Sequence, residues 1–392
     1  MIYLDYAATT PLDPRVLEAM MPYLTEHFAN ASSIHQMGQT ARGAIDSARN
    51  TCMELLGAFS PHEIIFMGSG TESCNTAIYG AAFGRQERGK HLVVSAIEHP
   101  AVLEPARYLR DNFGFELTEV APDSEGLIHP KEIEAALRKD TVLVSVMLAN
   151  NEVGTLQPIK KSAKICRDRG ILFHTDACQA PGFSDINVDH LGVDLLSLNG
   201  GKIHGPKGIG LLYIREGLQI TPLILGGGQE FRMRGGTENT AAIVGFAKAL
   251  ELTLKDSKKE AARIGALRDE LLEGLLTIPG LSLNGSQEHR LENNINIHVP
   301  GQLGETLVMR LDLEGLAASS GSACSSGKTE PSSVLLAMGQ SPKKAGESLR
   351  LTLGRETSSA QISSALKILK KVLKGVSLGP QSLLFELLGM FV

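Results

Sequence analysis

The chain has 392 residues, enough to bury a sizeable core and usually to form two domains. Its 43% hydrophobic and 21% charged residues are ordinary for a globular protein, and its net charge of −5 argues against the basic surface typical of nucleic-acid binding. No apolar stretch reaches the roughly 18 residues that span a membrane, and the amino terminus lacks a basic region followed by an apolar segment. We therefore expect a cytoplasmic protein without a secretory signal, a membrane span or a nucleic-acid partner.

Short β-rich runs alternate with helical ones through the first half of the chain. The predicted strands are Glu63–Met67, His91–Ile97, Phe115–Val120, Val142–Leu148, Ile171–Thr175, Val193–Leu198 and Ile209–Ile214. The predicted helices are Thr40–Leu56, Thr71–Arg88, Ala101–Phe113, Pro130–Leu137 and Ile159–Arg169. This alternation is typical of an α/β protein with a mostly parallel, doubly wound sheet.

The pattern changes after this region. One long helix is predicted from about Asn239 to Leu276, and helices of this length often connect domains. A strand-like segment, ENNINIHV, and a terminal helix, Ser358–Leu373, follow it. These elements predict a second, smaller α+β domain.

The segment GSGTES lies between a predicted strand and a predicted helix. Gly68 and Gly70 let the backbone approach an anion, and Thr71 supplies a hydroxyl. The amino-terminal end of the helix offers free N–H groups and a positive dipole to a phosphate. An ordinary capped helix would look alike, so the segment alone does not establish a phosphate site.

Lys202 and Asp176 each follow a predicted strand. An open parallel sheet would place both in one crevice outside its carboxyl edge. Pyridoxal 5'-phosphate (PLP) chemistry needs this pair, because a lysine holds the aldehyde as a Schiff base and an acid keeps the pyridine nitrogen protonated. Taken singly, a surface lysine and a helix-capping aspartate are equally good interpretations.

The five cysteines form no metal-like pair and are odd in number, so we expect free thiols and no metal site. Cys52 and Cys166 fit core positions, and nothing marks Cys74 or Cys178 as nucleophiles. Cys324 differs because serine, glycine and alanine surround it in SSGSACSS. Such residues build no core, which indicates a solvent-reachable loop on which a thiolate can approach a substrate.

Seven motifs occur in a fixed order along the chain: YLDYAATTPLDPRV, GSGTESCN, ANNEVG, HTDACQAPG, GPKGIG, MRGGTEN and SSGSACSS. In these residues the chain resembles the cysteine desulfurases of the NifS/IscS type, of the class V aminotransferase family, from Tyr3 to about Leu373. The resemblance implies PLP fold type I, with a mostly parallel seven-stranded sheet between helices and an antiparallel return strand at Gly210–Ile214. It also implies a large PLP-binding domain, residues 13–255, and a small domain formed by residues 1–12 and 256–392 that carries the catalytic cysteine.

The resemblance implies that Gly70, Thr71 and Asn199 bind the PLP phosphate, together with Thr237 of the partner subunit in a homodimer. One position departs from the family. Members usually have Ser-Gly-His before the Schiff-base lysine, whereas this chain has Asn199-Gly200-Gly201. We expect the phosphate site to lose one donor at Gly201 and to hold PLP less tightly.

The resemblance also indicates which residues contact the PLP ring and the substrate. It implies a Schiff base at Lys202, pyridine protonation by Asp176, an acid–base role over the ring for His99 and a hydrogen bond from Gln179 to the pyridine oxygen. Asn151 would contact both cofactor and substrate, with Asn150 as the structural neighbour. Arg350 would grip the substrate carboxylate, with Arg355 as a nearby structural arginine.

These residues imply that the chain converts L-cysteine to L-alanine and keeps the sulfur as a persulfide on Cys324. An acceptor, either an iron–sulfur scaffold or a thiolation enzyme, would then take the sulfur. The apolar carboxyl terminus lacks the polar tail with which housekeeping members dock the scaffold. Alternatives are a selenocysteine lyase, a class V aminotransferase, or a non-enzymatic relative that keeps the fold but holds PLP poorly.

Overall fold

A computed structural model of the chain describes residues 1–320 and 331–373. Its central feature is a seven-stranded sheet with the order β2-β8-β7-β6-β5-β3-β4. The strands of the described chain are β1 Ile2–Tyr3, β2 Ile64–Met67, β3 His91–Ser95, β4 Glu116–Val120, β5 Thr141–Ser145, β6 Leu172–Asp176, β7 Leu195–Asn199, β8 Gly210–Ile214, β9 Ser282–Leu283, β10 Asn294–His298, β11 Leu316–Ala317 and β12 Ser348–Thr352.

Strands β3 to β7 are parallel to one another, and β8 runs antiparallel between β7 and β2. Strands β3, β5 and β6 are buried along their whole length, as expected for strands that helices cover on both faces. The predicted doubly wound α/β fold with its return strand is therefore confirmed.

The helices pack on the strands and on one another. In the described residues they are α1 Pro14–Thr25, α2 Gln36–Leu56, α3 Gly70–Gly84, α4 Pro100–Phe113, α5 Pro130–Ala136, α6 Ile159–Asp168, α7 Val188–Leu191, α8 Thr240–Lys255, α9 Ser257–Leu276, α10 Gly304–Leu313, α11 Ser333–Ala337, α12 Pro342–Gly346 and α13 Ser359–Leu373. None of those helices is both long and apolar enough to span a bilayer.

The prediction of one long helix from Asn239 to Leu276 is wrong. Two helices, α8 and α9, occupy this range, and Asp256 between them has non-helical φ and ψ of −117° and 22°. Helix α8 packs on α1 and α2, whereas α9 packs on α13, so the two halves belong to different helix layers. The pair Asp256-Ser257 suits such a break, because both side chains compete with the helical backbone for hydrogen bonds.

The remaining strands form two small sheets. Strands β9, β10 and β12 are antiparallel, and β1 pairs in parallel with β11. Leu4, which follows β1, is fully buried in the core of this carboxyl-terminal part together with Leu351 and Leu369. We propose on these contacts that residues 1–12 and 256–392 form the small domain and residues 13–255 the large one.

Candidate active site

A cleft of about 380 Å³ lies at the edge of the sheet where the parallel strands end. This edge is where open α/β sheets bind their ligands. Nine of the predicted site residues line it: Gly70, Thr71, His99, Asn151, Asp176, Gln179, Asn199, Lys202 and Arg350. The fold thus gathers into one cavity side chains that are up to 280 positions apart in the sequence (350 − 70).

The amine and the carboxylate enter the cleft from neighbouring strands. Asp176 is the last residue of β6, and its Oδ1 accepts a hydrogen bond from the backbone N–H of Cys178 at 2.9 Å. Lys202 ends a short 3₁₀ turn that follows β7. Its Nζ donates to the carbonyl oxygens of Ala7 and Ala8 at 2.7 and 2.6 Å. The amino-terminal segment therefore fixes the direction of the lysine side chain.

Helix α3 begins at the cleft with Gly70. A Cβ atom at this position would lie 2.9 Å from Cβ of Asn199 and 3.0 Å from Sγ of Cys178, so a side chain there would force its neighbours to move. Ser69 caps the helix by accepting from the backbone N–H of Glu72 at 3.0 Å. A helix start with glycine at its first position leaves backbone N–H groups and the positive dipole facing the cavity, an arrangement that suits an anion.

The turn before Lys202 lies beside the start of helix α3. Asn199 lines the cleft, and its Oδ1 accepts from the backbone N–H of Gly201 at 3.0 Å. A Cβ atom at Gly201 would have contacts no closer than 3.6 Å, with Asn199, Lys207 and Thr9 as neighbours. Position 201 therefore accepts a Cβ atom at ordinary van der Waals distances.

His99 caps the start of helix α4, and its Nδ1 accepts from the backbone N–H of Ala101 at 3.0 Å. An imidazole that accepts at Nδ1 carries its proton on Nε2 when it is neutral. Glu98 beside it is 2% exposed and accepts from Ser95 Oγ and Met147 N through Oε1. Burial raises the pKa of Glu98 to about 8. Glu98 thus ties the turn that carries His99 to the end of β5.

Arg350 is almost completely buried, with 2% exposure. Its Nη1 donates to the carbonyl oxygen of Asn151 at 2.9 Å, and its Nη2 donates to Oδ1 of Asp5 at 2.8 Å. Within residues 1–320 and 331–373 its Nε has no hydrogen-bond partner. A guanidinium held in this way at the wall of a cavity is suited to a carboxylate ligand.

A scan against protein-family models matches residues 2–364 to "Aminotransferase class-V". The chain belongs to the class V aminotransferase family. The match covers the strands, helices and turns that line the cleft, and membership in this family generally implies PLP as cofactor.

The chain is similar to proteins named as cysteine desulfurases. The chain is 48% identical to the "Cysteine desulfurase IscS" of Dictyoglomus turgidum, over 95% of this chain and 94% of that protein. Among solved structures, a "NIFS-LIKE PROTEIN" superimposes with a TM-score of 0.89 at 35% identity, covering 96% of this chain and 99% of the other. The structure titled "SspA in complex with cysteine" superimposes with a TM-score of 0.80 at 37% identity, over 90% and 99% of the two chains.

The structure separates residues that the sequence left as alternatives. Asn151 lines the cleft, whereas Asn150 is fully buried and its Oδ1 accepts from the backbone of Glu152 and Val153. Arg355 pairs with Asp13 at 2.6 Å and is not among the residues that line the cleft.

Two predicted residues are not seen at the cleft. Thr237 is exposed and is absent from the described cleft lining of its own chain. Cys324 lies outside the described residues, and described residues flank it on both sides. Ser319 exchanges backbone hydrogen bonds with Arg350, and Ser333 lines the cavity.

The sequence reasoning missed two buried carboxyls in the cleft wall, Glu98 and Glu152. Glu152 accepts a hydrogen bond from Ser332 Oγ, and burial raises the pKa of Glu152 to about 7. Each glutamate adjoins a residue already singled out, Glu98 beside His99 and Glu152 beside Asn151. The sequence signal that could have identified both glutamates is a charged residue in the turn that follows a buried strand.

Proposed function

We propose that the chain is a PLP-dependent cysteine desulfurase, which converts L-cysteine to L-alanine and takes the sulfur onto Cys324 as a persulfide. The observation that carries the proposal is the single cleft in which Lys202, Asp176, His99 and Arg350 come together. Relatives named cysteine desulfurase over almost the full chain length support the same activity.

The residues of the cleft fit PLP. The start of helix α3 at Gly70 and Thr71 offers an anion site for the phosphate, and Asn199 lies next to Gly70 at this site. Asp176 supplies a carboxylate for the pyridine nitrogen, and the Lys202 amine supplies a covalent attachment point for the aldehyde. The cavity of about 380 Å³ has room for a small cofactor with an amino acid beside it.

PLP, when bound, supplies an electron sink that lowers the barrier to breaking bonds at the substrate Cα and Cβ. The chain's own residues position the substrate and move its protons. Arg350 binds the substrate carboxylate. The Lys202 amine takes the proton from the substrate Cα. Asp176 holds a proton at the pyridine nitrogen. His99, whose neutral ring carries its hydrogen on Nε2, can donate a hydrogen bond inside the cleft.

The sulfur step balances without another reactant. The bond between Cβ and sulfur of the substrate breaks, and a bond forms between that sulfur and Sγ of Cys324. The substrate carbon gains hydrogen and becomes the methyl group of alanine, while the Cys324 thiol becomes a persulfide. A sulfur-acceptor protein, an iron–sulfur scaffold or a thiolation enzyme, would then receive the outer sulfur.

The test is a product analysis of the PLP-loaded protein with L-cysteine and a thiol reductant. We expect equal amounts of sulfide and alanine, and no keto acid. Keto acid that requires an amino-group acceptor would instead establish an aminotransferase. A kcat/KM for L-selenocysteine that is far above that for L-cysteine and survives Cys324→Ala would establish a selenocysteine lyase.

The cysteine variants test the acceptor. Cys324→Ala should retain PLP and release almost no alanine from L-cysteine, because the nucleophile is gone. Cys178→Ala removes the thiol that the structure places in the cleft itself, where burial raises its pKa well above the usual range. Full activity in Cys324→Ala with loss of activity in Cys178→Ala would contradict the assignment.

A further inference from the structure

The segment from Glu230 to Glu238, called here the arm, begins in an unusual backbone conformation. Glu230, Phe231 and Arg232 have φ angles of 46°, 54° and 67°, three consecutive non-glycine residues in the left-handed region. L-residues disfavour this region, so such a run persists only where surrounding contacts hold it. The arm carries Thr237 near its far end.

A buried ion pair holds the start of the arm. Glu230 bonds Arg49 of helix α2 through both carboxylate oxygens, at 2.6 and 2.8 Å, and both side chains are at most 3% exposed. The same pair also forms hydrogen bonds with backbone groups on the outer edge of β2, the last strand of the sheet. Glu230 accepts from the backbone N–H of Phe66 at 2.8 Å, and Arg49 donates to the carbonyl oxygen of Ile64. The pair thus replaces a neighbouring strand.

A second pair links the middle of the arm to the predicted phosphate loop. Arg234 Nε donates to Oε1 of Glu72 at 2.8 Å. The other oxygen of Glu72 accepts from the backbone N–H of Gly68 at 3.0 Å. Glu72 lies in the first turn of helix α3, so the arm and the start of that helix are fixed to each other.

A third pair holds the far end. Arg42 Nη2 donates to Oε1 of Glu238 at 2.7 Å, and the Glu238 side chain is 2% exposed. Arg42 and Arg49 are seven residues apart on helix α2, about two helical turns, and therefore share one face. That face holds both ends of the arm, while Thr237 between them stays exposed.

We propose that these three arginine–glutamate pairs are a positioning frame, which presents Thr237 of one chain to the PLP phosphate of a second copy. The inference rests on the proposed PLP enzyme and names residues that set its cofactor affinity without touching the cofactor. The frame is already complete within one chain, so Thr237 needs no rearrangement to donate its hydroxyl. Dimer formation therefore does not carry the entropic cost of ordering the arm.

The test measures PLP dissociation constants and apoprotein unfolding in parallel. Glu230→Gln and Glu238→Gln keep the shape and one acceptor oxygen of each side chain but remove the ion pair. We expect PLP affinity to fall roughly tenfold in each, as in Thr237→Ala. We expect no further loss when either change is combined with Thr237→Ala, because all three act through one hydroxyl. Glu260→Gln, which breaks the partly exposed pair with Arg263, is the matched control.

Arg234→Gln tests the frame without a change in a fully buried pair, since Arg234 is 26% exposed. Lower stability with an unchanged PLP dissociation constant, or losses that add to that of Thr237→Ala, would overturn the frame. Wild-type protein that binds no PLP would instead reject the proposed function and the frame together.

Mixed dimers test the direction of the contact. A dimer of one Lys202→Ala chain and one Thr237→Ala chain should contain one site with wild-type PLP affinity, made from the lysine of one copy and the threonine of the other. Absence of any wild-type site would show that Thr237 does not act on the other copy.

Discussion

The amine of Lys202 lies 2.7 Å from the carbonyl oxygen of Ala7, a residue 195 positions earlier in the chain. The neighbouring carbonyl of Ala8 accepts from the same amine. The YLDYAATT segment therefore serves the cleft as well as the carboxyl-terminal core that its Leu4 enters. Two carbonyl oxygens hold the amine in place before it reacts, in the way that pre-organised groups lower the cost of reaching a reactive geometry.

Replacement of Lys202 by alanine should abolish covalent attachment of PLP. The cleft contains no other lysine among its described lining residues. After borohydride reduction and denaturation, the mass of PLP should remain on the wild-type chain and be absent from Lys202→Ala. The rate of alanine formation from L-cysteine should fall to the background level.

Lys207→Ala is the matched control, because Lys207 is nearby but its amine donates to the carbonyl of Thr10 at 3.0 Å. It should retain the PLP mass after reduction. Retention of that mass by Lys202→Ala, or its loss from Lys207→Ala, would show that the attachment point is misassigned.

The sequence predicted the sheet and most of the cleft because most site residues follow a buried apolar run. Asp176 ends one such run and Lys202 follows another after a short turn, and the order of strands then places them at one edge. The contact of Lys202 with Ala7 could not be predicted, since every residue has a carbonyl oxygen. The pair of Arg42 and Glu238 spans 196 residues and has no local pattern.

Substitution of Asp176 by asparagine should slow removal of the Cα proton without releasing PLP. Asparagine keeps an oxygen for the backbone N–H of Cys178, but a neutral amide cannot hold the pyridine nitrogen protonated. Loss of one charge-assisted hydrogen bond predicts a decrease of about ten- to a hundredfold. Exchange of the Cα hydrogen of L-cysteine with deuterated water, measured in a Cys324→Ala background, isolates this step. A rate equal to that of the exposed control Asp185→Asn would assign the proton to another acid.

Introduction of histidine at Gly201 should tighten PLP retention. The space around position 201 accepts a Cβ at ordinary contact distances, and the imidazole would restore a donor to the phosphate. One hydrogen bond to a charged group contributes roughly 1.5–3 kcal/mol, or about ten- to a hundredfold in affinity. Equilibrium dialysis of the two proteins gives the constants, and Gly201→Ala supplies a side chain without a donor. Equal dissociation constants for Gly201→His and Gly201→Ala would reject the missing-donor account.

Glu98 should make the stability of the apoprotein depend on pH. Burial raises the pKa of Glu98 from 4.5 to about 8, and Asp176 nearby adds to the increase. The protonated form is therefore favoured in the folded state. Its stabilising contribution is fully present below pH 4.5 and is lost as the pH rises towards 8. In the unfolded chain the carboxyl loses its proton across this range, whereas in the folded protein it must stay protonated.

Glu98→Gln should remove this dependence, because the amide is neutral and its oxygen still accepts from Ser95 and Met147. Urea unfolding midpoints of wild type and Glu98→Gln apoprotein should diverge between pH 4.5 and 8, with the variant becoming relatively more stable as pH rises. The buried Glu152 titrates in both proteins and cancels in the difference. Glu104→Gln, an exposed change on the same helix α4, should follow the wild-type profile. Parallel profiles for wild type and Glu98→Gln would show that Glu98 keeps its charge in the fold.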